Sequence, residues 1–440
     1  MPNRPNILYL HSHDTGRYTS PYGFAMPTPN LQRLAEQGVL FRQCFCGGPT
    51  CSASRAALLT GQCSHSSGMI GLAHRGFALK DMKQHLVQTL HDVGYRATLI
   101  GVQHVTHWEN RGADGIGYDE VVHLDDLWDN ARIAGAAKDF FDNAPQEPFF
   151  LSVGFVHTHR EYPEAGPEDD ARYCRPPLPL PDTPETRRDM ATFMASVRAL
   201  DAGMGAVIRA LDESGLGENT LVICTTDHGI AFPLMKCNLT DHGIGVMLTM
   251  RGPGGFTGGK VCDALVSQID LFPTLCDLLA IDRPEWLQGR SFLPVIRGET
   301  DEVNDAIFSE VTYHAAYEPM RCVRTKRWKY IRRYDDRGVP NLPNCDDSIS
   351  KTFMLEHGWK ERRVAKEELF DLVFDPNEAC NLAGDPAQVH VLGEMRARLD
   401  EWMAATDDPI LQGLPVPAPS GARANDPDGL SPNEEPMVFE

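Results

Sequence analysis

The sequence predicts an α/β fold in which a large, mostly parallel sheet is flanked by helices and followed by a smaller antiparallel sheet. Three observations carry that prediction. Continuous apolar runs of strand length at residues 6–10, 95–101, 148–156 and 221–226 lack polar alternation, as strands buried on both faces do. Segments of helical periodicity lie between them, as parallel connections require. Beyond Gly298, Glu299 and Thr300 the pattern changes, and residues 320–334 read as a hairpin, which belongs to an antiparallel sheet.

Residues 6–10 (NILYL) run directly into His11, Ser12, His13, Asp14, Thr15 and Gly16. Ligands of open α/β sheets bind beyond the carboxyl ends of such strands, so Asp14 is placed to hold a metal or to cap the next turn. A helix is expected over residues 28–38, with Leu31, Leu34 and Ala35 on its buried face. Residues 44–63 (CFCGGPTCSASRAALLTGQC) put Cys51 in a Gly/Pro-rich turn and residues 52–60 in a short helix that stops at Gly61. Free backbone N–H groups and the helix dipole there favour a thiolate or an oxyanion on residue 51, unless Cys51 is simply a buried loop residue. Arg55, one turn on, adds a fixed cation.

A helix over residues 83–94 ends at Gly94, and the strand at 95–101 delivers Val102, Gln103 and His104 to the same sheet edge. Residues 124–143 read as broken helix. The strand at 148–156 ends in His157, Thr158, His159 and Arg160, and the Pro- and acid-rich residues 163–184 read as a surface loop over the site. A long helix over residues 186–213 turns Met190, Phe193, Met194, Val197 and Leu200 to the core. The strand at 221–226 leads into Asp227, His228 and Gly229. A second Thr-Asp-His-Gly, at residues 240–243, precedes a strand, so the metal role falls to the first. Residues 389–403 predict a terminal amphipathic helix. The expected units are 1–300, 301–412 and an extended stretch at 413–440, which is either a loose tail or an arm to a second copy.

At 440 residues the chain can bury one large core and a smaller one; 42% hydrophobic and 23% charged residues are those of a soluble globular protein. A net charge of −20 argues against a general nucleic-acid binder, although an acidic surface can surround a locally positive pocket. No run approaches the ~20 apolar residues of a membrane span, and a strand follows the first turn at once, so a cytoplasmic enzyme is expected. Twelve cysteines without paired metal-finger spacing fit a reducing compartment.

Cys51-Ser52-Ala53-Ser54-Arg55, continued by Ala56, Ala57, Leu58, Leu59, Thr60 and Gly61, resembles the signature of the sulfatase family, in which the cysteine is oxidised to formylglycine. The resemblance runs from about residue 5 to residue 382 and implies an alkaline phosphatase-like sandwich. It also implies a formylglycine-generating enzyme as partner and a small sulfated substrate. The run Ser66-Ser67-Gly68-Met69-Ile70-Gly71-Leu72 and the His159-Arg160 pair are similar to the sugar N-sulfatase branch, which makes a sulfated sugar the expected substrate. Carried over residue by residue, Asp14, Asp227, His228, residue 51 and His13 would hold one divalent metal. Calcium is the family's usual ion, while two imidazoles beside two carboxylates favour manganese or zinc. Arg55 would orient the nucleophile, His104 act as base, and His159 with Lys236 serve the leaving group; His157 and Arg160 are candidates for substrate selection. The sequence departs from the family at Ala53, usually proline, at His13, usually aspartate, and at Val102, where a lysine is expected. Either another group supplies the charge, or the bound anion carries less of it, or turnover is weak. A phosphonate monoester or phosphodiester hydrolase on the same fold, and a non-catalytic homologue, are the alternatives.

Overall fold

The computed structural model describes residues 4–107, 115–143 and 145–440. Nine short strands come first: β1 (Asn6–Ser12), β2 (Val39–Phe41), β3 (Cys44–Phe45), β4 (Arg96–Gly101), β5 (Glu120–Val122), β6 (Phe149–Gly154), β7 (Thr220–Thr226), β8 (Leu248–Arg251) and β9 (Lys260–Cys262). All but β3 build one sheet in the order β5-β4-β6-β1-β7-β8-β2-β9. The run from β5 to β7 is parallel throughout, while β8 is antiparallel to both of its neighbours, so the sheet is mostly parallel.

Every residue of β1 is buried, and its parity explains why. Ile7 and Tyr9 enter one hydrophobic core, Leu8 and Leu10 the other, because successive side chains of a strand point to opposite faces. A sheet covered on both faces needs apolar residues at every position, which is the unalternated pattern of the sequence. The Asn130–Asp142 and Pro184–Glu213 helices cover one face; the Cys51–Thr60 and Leu271–Leu279 helices contribute to the other. By length and composition the Pro184–Glu213 helix could cross a membrane, but 61% of its most apolar window is buried within the fold, so it is a core helix.

A four-stranded antiparallel sheet follows in the order β11-β12-β13-β14. It comprises β11 (Ala306–Tyr313), β12 (Tyr317–Thr325), β13 (Trp328–Arg333) and β14 (Glu367–Asp371), after a two-residue β10 (Val266–Ser267) paired with β3. The expected hairpin at 320–334 is its β12–β13 pair, and the Val389–Ala405 helix packs on it through Leu392, Met395, Leu399 and Met403.

Three local expectations change. The helix expected over 83–94 divides into a 3-10 turn, Met82–Gln84, and a helix, Leu86–Asp92, because His85 is extended and caps the second piece by accepting from the Val87 N–H. The broken helix at 124–143 is helical only from Asn130 to Asp142, where Asp129 caps two N–H groups. Residues 413–440 are extended but not loose. Arg423–Ala424 pairs with Met437–Val438, and Ala422, Ala424 and Asn425 are buried against the rest of the chain. None of the twelve cysteines is paired.

Candidate active site

The carboxyl ends of β1, β7, β6 and β4 bring Asp14, the Asp227-His228 pair, His159 and His104 to one edge, and the Cys51–Thr60 helix points its first turn at them. Asp14 and His104 hold left-handed backbone, with φ of 49° and 56°, a conformation that costs energy for residues with a side chain and recurs at functional sites. The Asp14 N–H donates to Asp227 Oδ1 at 2.8 Å, locking the two strand ends together. Gly229 is required after His228, because a Cβ there would lie 1.9 Å from the His242 carbonyl oxygen.

Donor atoms of His13, Asp14, Cys51 and Asp227 lie within 4.8 Å of one another, all buried. His228 completes the set: its Nε2 is 3.3 Å from Cys51 Sγ and 3.4 Å from Asp14 Oδ1. Because His228 Nδ1 donates to the Gly229 carbonyl at 2.9 Å, Nε2 is left as the lone-pair nitrogen facing the cluster. Asp14 Oδ1 is buried without a hydrogen-bond partner. Two carboxylates, imidazole nitrogens and an unmet oxygen fit a divalent cation, and all five sequence-predicted ligands converge here.

Arg55 is buried and directed through both Nη atoms, with Nε left without a partner. It donates to Asp227 Oδ2 at 3.0 Å, to the Ser12 carbonyl at 2.8 Å and to His11 Nδ1 at 2.7 Å. Lys236 Nζ bridges Asp14 Oδ2 at 2.9 Å and Asp346 Oδ2 at 3.0 Å. Burial opposes its charge, yet Asp14 and Asp346 raise its basicity well above normal. Burial alone would raise the Asp227 carboxyl, but His228, Arg55 and His13 hold it well below the usual range. Burial, reinforced by Arg55, lowers His13 to about 4.

The thiol departs from expectation. Burial pushes Cys51 up, against the pull of Lys236, so the helix N-terminus does not yield a thiolate. Cys51 is 2% exposed, and desolvation outweighs the dipole.

Two imidazoles line the half-buried mouth. His159 donates from Nδ1 to the Arg160 carbonyl at 2.5 Å, leaving Nε2 free, and its ring lies 5.7 Å from His13. The His104 ring lies 5.6 Å from His13. The proposed selectivity residues are engaged elsewhere. Arg160 forms a two-pronged pair with Asp189 at 2.8 and 2.9 Å and packs over Tyr162 and Phe232. His157 Nδ1 meets Asn130 Oδ1 at 3.0 Å and its ring sits edge-on to Trp128, facing the Asn130–Asp142 helix. A sequence neighbour of His159 need not share its direction.

Three groups at the site carry no motif. Asp346 pairs with Lys236; buried His314 lies within electrostatic reach of Lys236, Asp346 and His228; His74 stacks on His104 at 5.4 Å and 15°. His314 follows β11 and Asp346 follows the Leu342–Asn344 turn, so the second module closes the site formed by the first. The one sequence signal for His314 was its place at a strand's carboxyl end.

The Sulfatase family matches residues 5–281, and the C-terminal domain of N-sulphoglucosamine sulphohydrolase matches residues 234–347, the stretch that holds Lys236, His314 and Asp346. The human N-sulphoglucosamine sulphohydrolase is 30% identical, over 98% of this chain and 95% of that one. A Delta 4,5-hexuronate-2-O-sulfatase of Bacteroides thetaiotaomicron is 26% identical, over 99% and 96%. In fold, the chain is similar to a structure solved in complex with D-glucosamine-2-N,6-O-disulfate, with a TM-score of 0.72, 19% identity and coverage of 92% and 98%. With a family match across more than half its length and a relative aligned almost end to end, the chain belongs to the sulfatase family, hydrolases of sulfuric esters.

Proposed function

We propose that the protein removes sulfate from a sulfated sugar, as an O-ester or N-sulfate, using Cys51 in its formylglycine form. One observation carries the reading: Cys51 sits on the first turn of a helix, inside the four-donor cluster and 3.3 Å from His228 Nε2. A buried, protonated thiol is a poor nucleophile, whereas an aldehyde hydrate at that position offers two hydroxyls. The sugar class rests on the names of the relatives.

A divalent ion held by Asp14, Asp227, His13, His228 and residue 51 would supply positive charge to the sulfuryl oxygens; calcium, manganese and zinc all suit parts of the donor set. Arg55 fixes Asp227 and thereby the floor of the site. Lys236, held between two carboxylates, presents its ammonium to a sulfate oxygen and to the leaving atom. Converted to the formylglycine hydrate, residue 51 would supply one hydroxyl as the nucleophile toward sulfur and a second through which sulfate is released; His159 Nε2, at the mouth, is the group that would give a proton to the departing oxygen or nitrogen. His104, 5.6 Å ring to ring from His13, is the base that would take the proton of that second hydroxyl.

Mass spectrometry of the Cys51 peptide from protein made in its own host, with sulfate release from N- and O-sulfated glucosamine, tests this. An aldehyde at residue 51 and released sulfate are expected. An unchanged thiol with faster cleavage of a phosphodiester than of any sulfate would overturn it.

A further inference from the structure

We infer that Arg75 and Arg423 form a second anion subsite at the mouth of the catalytic pocket, receiving a carboxylate or sulfate on the sugar next to the one that loses its sulfate. The inference rests on the sulfatase reading above.

The two guanidiniums are brought together by the end of the chain. Gly76 has φ of 93°, and a Cβ there would lie 2.9 Å from Ala422 Cα, so the C-terminal hairpin is seated directly on the turn that carries His74 and Arg75. Asn425 accepts from Arg75 Nη1 at 2.6 Å, the Ala315 carbonyl accepts at 3.1 Å, and the Pro432 carbonyl accepts from Nη2 at 3.0 Å. Arg423 Nη2 donates to the His74 carbonyl at 2.9 Å. Every one of these acceptors is neutral. Among the described residues no carboxylate lies within 4.0 Å of either arginine, in a chain with 61 acidic and 41 basic residues. Arg160, Arg321, Arg324, Arg327 and Arg396 each hold one.

An unbalanced cation pair is self-repulsive. Burial, and then Arg423, lowers the basicity of Arg75. A bound anion removes that repulsion and gains charge-assisted hydrogen bonds from the guanidinium N–H groups that these contacts leave over.

The pair is joined to the chemistry through His74, which precedes Arg75 in the chain and whose carbonyl Arg423 holds. His74 stacks on His104 with Nδ1 and Nε2 3.1 Å apart, and the His104 ring is 5.6 Å from His13 in the metal cluster. His74 is lowered to about 4, by burial first and then by Arg75, His107 and Arg423, so it stays neutral between the two sites. His74 is thus separated from His13 by the His104 ring, and an anion held beyond it belongs to the unit adjoining the one that reacts.

The test compares a 2-N-sulfated disaccharide bearing a uronate with the same disaccharide whose carboxylate is reduced to the alcohol. In the unsubstituted protein the uronate form should have the higher kcat/KM. In Arg423→Gln that preference should fall by about tenfold, the loss of one charge-assisted hydrogen bond, and Arg423→Lys should restore part of it. Arg75→Gln should do the same; Arg423, exposed and making one backbone contact, keeps the test clear of folding. A preference unchanged in Arg423→Gln would overturn the subsite. If neither sugar releases sulfate, the sulfatase reading fails instead. Calorimetric binding of the uronate disaccharide then decides the subsite: equal affinity for the unsubstituted protein and Arg423→Gln would refute it, and weaker binding to the variant would uphold it.

Discussion

Glu310→Gln should destabilise the protein by an amount that depends on pH in a stated way. Glu310, on β11, accepts from the His65 backbone N–H at 3.0 Å and from His65 Nδ1 at 2.9 Å, and Arg321 approaches at 3.2 Å. Its own N–H donates to the Gly47 carbonyl at 3.1 Å, so this network joins the second module to the turn before Cys51. Burial opposes the charge on His65, but Glu310 raises it to about 10 from 6.5. At about 1.4 kcal/mol per unit, that shift is worth at most about 5 kcal/mol. Breaking a buried ion pair costs about 3–5 kcal/mol, in agreement, and the interaction is counted once for both partners.

The sign follows from the raised histidine. Its contribution is fully present below pH 6.5 and is lost as pH rises through about 10. Glu310 is lowered to about 2 from 4.5, burial opposing and His65 and Arg321 prevailing, so its contribution is present above 4.5 and lost as pH falls to about 2. Urea titrations at pH 5.5, 7.5 and 9.5 should therefore show the largest gap between the unsubstituted protein and Glu310→Gln at 5.5, about 3–4 kcal/mol, narrowing steadily to 9.5. A gap that is the same at all three would refute the argument.

Lys236→Met leaves Asp14 and Asp346 without their shared cation and should lower kcat for sulfate release by about 10²–10³, read with saturating sulfated glucosamine. Gly229→Ala must displace the His242 carbonyl, now 1.9 Å from the new Cβ, and should cost about 1–3 kcal/mol in denaturant while also weakening metal retention through His228. Chelation should lower the unfolding temperature, because an ion bound only to the folded state stabilises it by about 2.7 kcal/mol at a hundred times its Kd. Re-addition of calcium, manganese and zinc in parallel ranks them, and elemental analysis showing calcium alone in unsupplemented protein would remove the other two.

Much of the sheet was legible because β1, β4, β6 and β7 are buried on both faces, and a doubly buried strand leaves an unbroken apolar run. Reading past the end of each run found Asp14, His104, His159, Asp227 and His228 together. Short β2 and β9, three residues each, leave no such trace. Asp346 and His314 come from turns whose approach to Lys236 depends on how the second module docks, which no local pattern records. Arg160 is the reverse case. Its place beside His159 suggested the substrate, but Asp189, 29 residues on, claims the guanidinium through tertiary packing. The thiolate expected at Cys51 weighed the helix dipole without the desolvation that only depth in the fold reveals.

The depth of Cys51 also sets an order of events. With 2% of its surface exposed, on a helix whose ten residues are all buried, the side chain is out of reach of any second protein once the molecule has folded. If Cys51 is converted as proposed, whatever converts the thiol has to meet residues 51–55 as an extended chain, before the second module and the final hairpin close around them. Chains that fold first would be locked out permanently. A preparation would then be a fixed mixture of competent and silent molecules, in a ratio set by a race during synthesis.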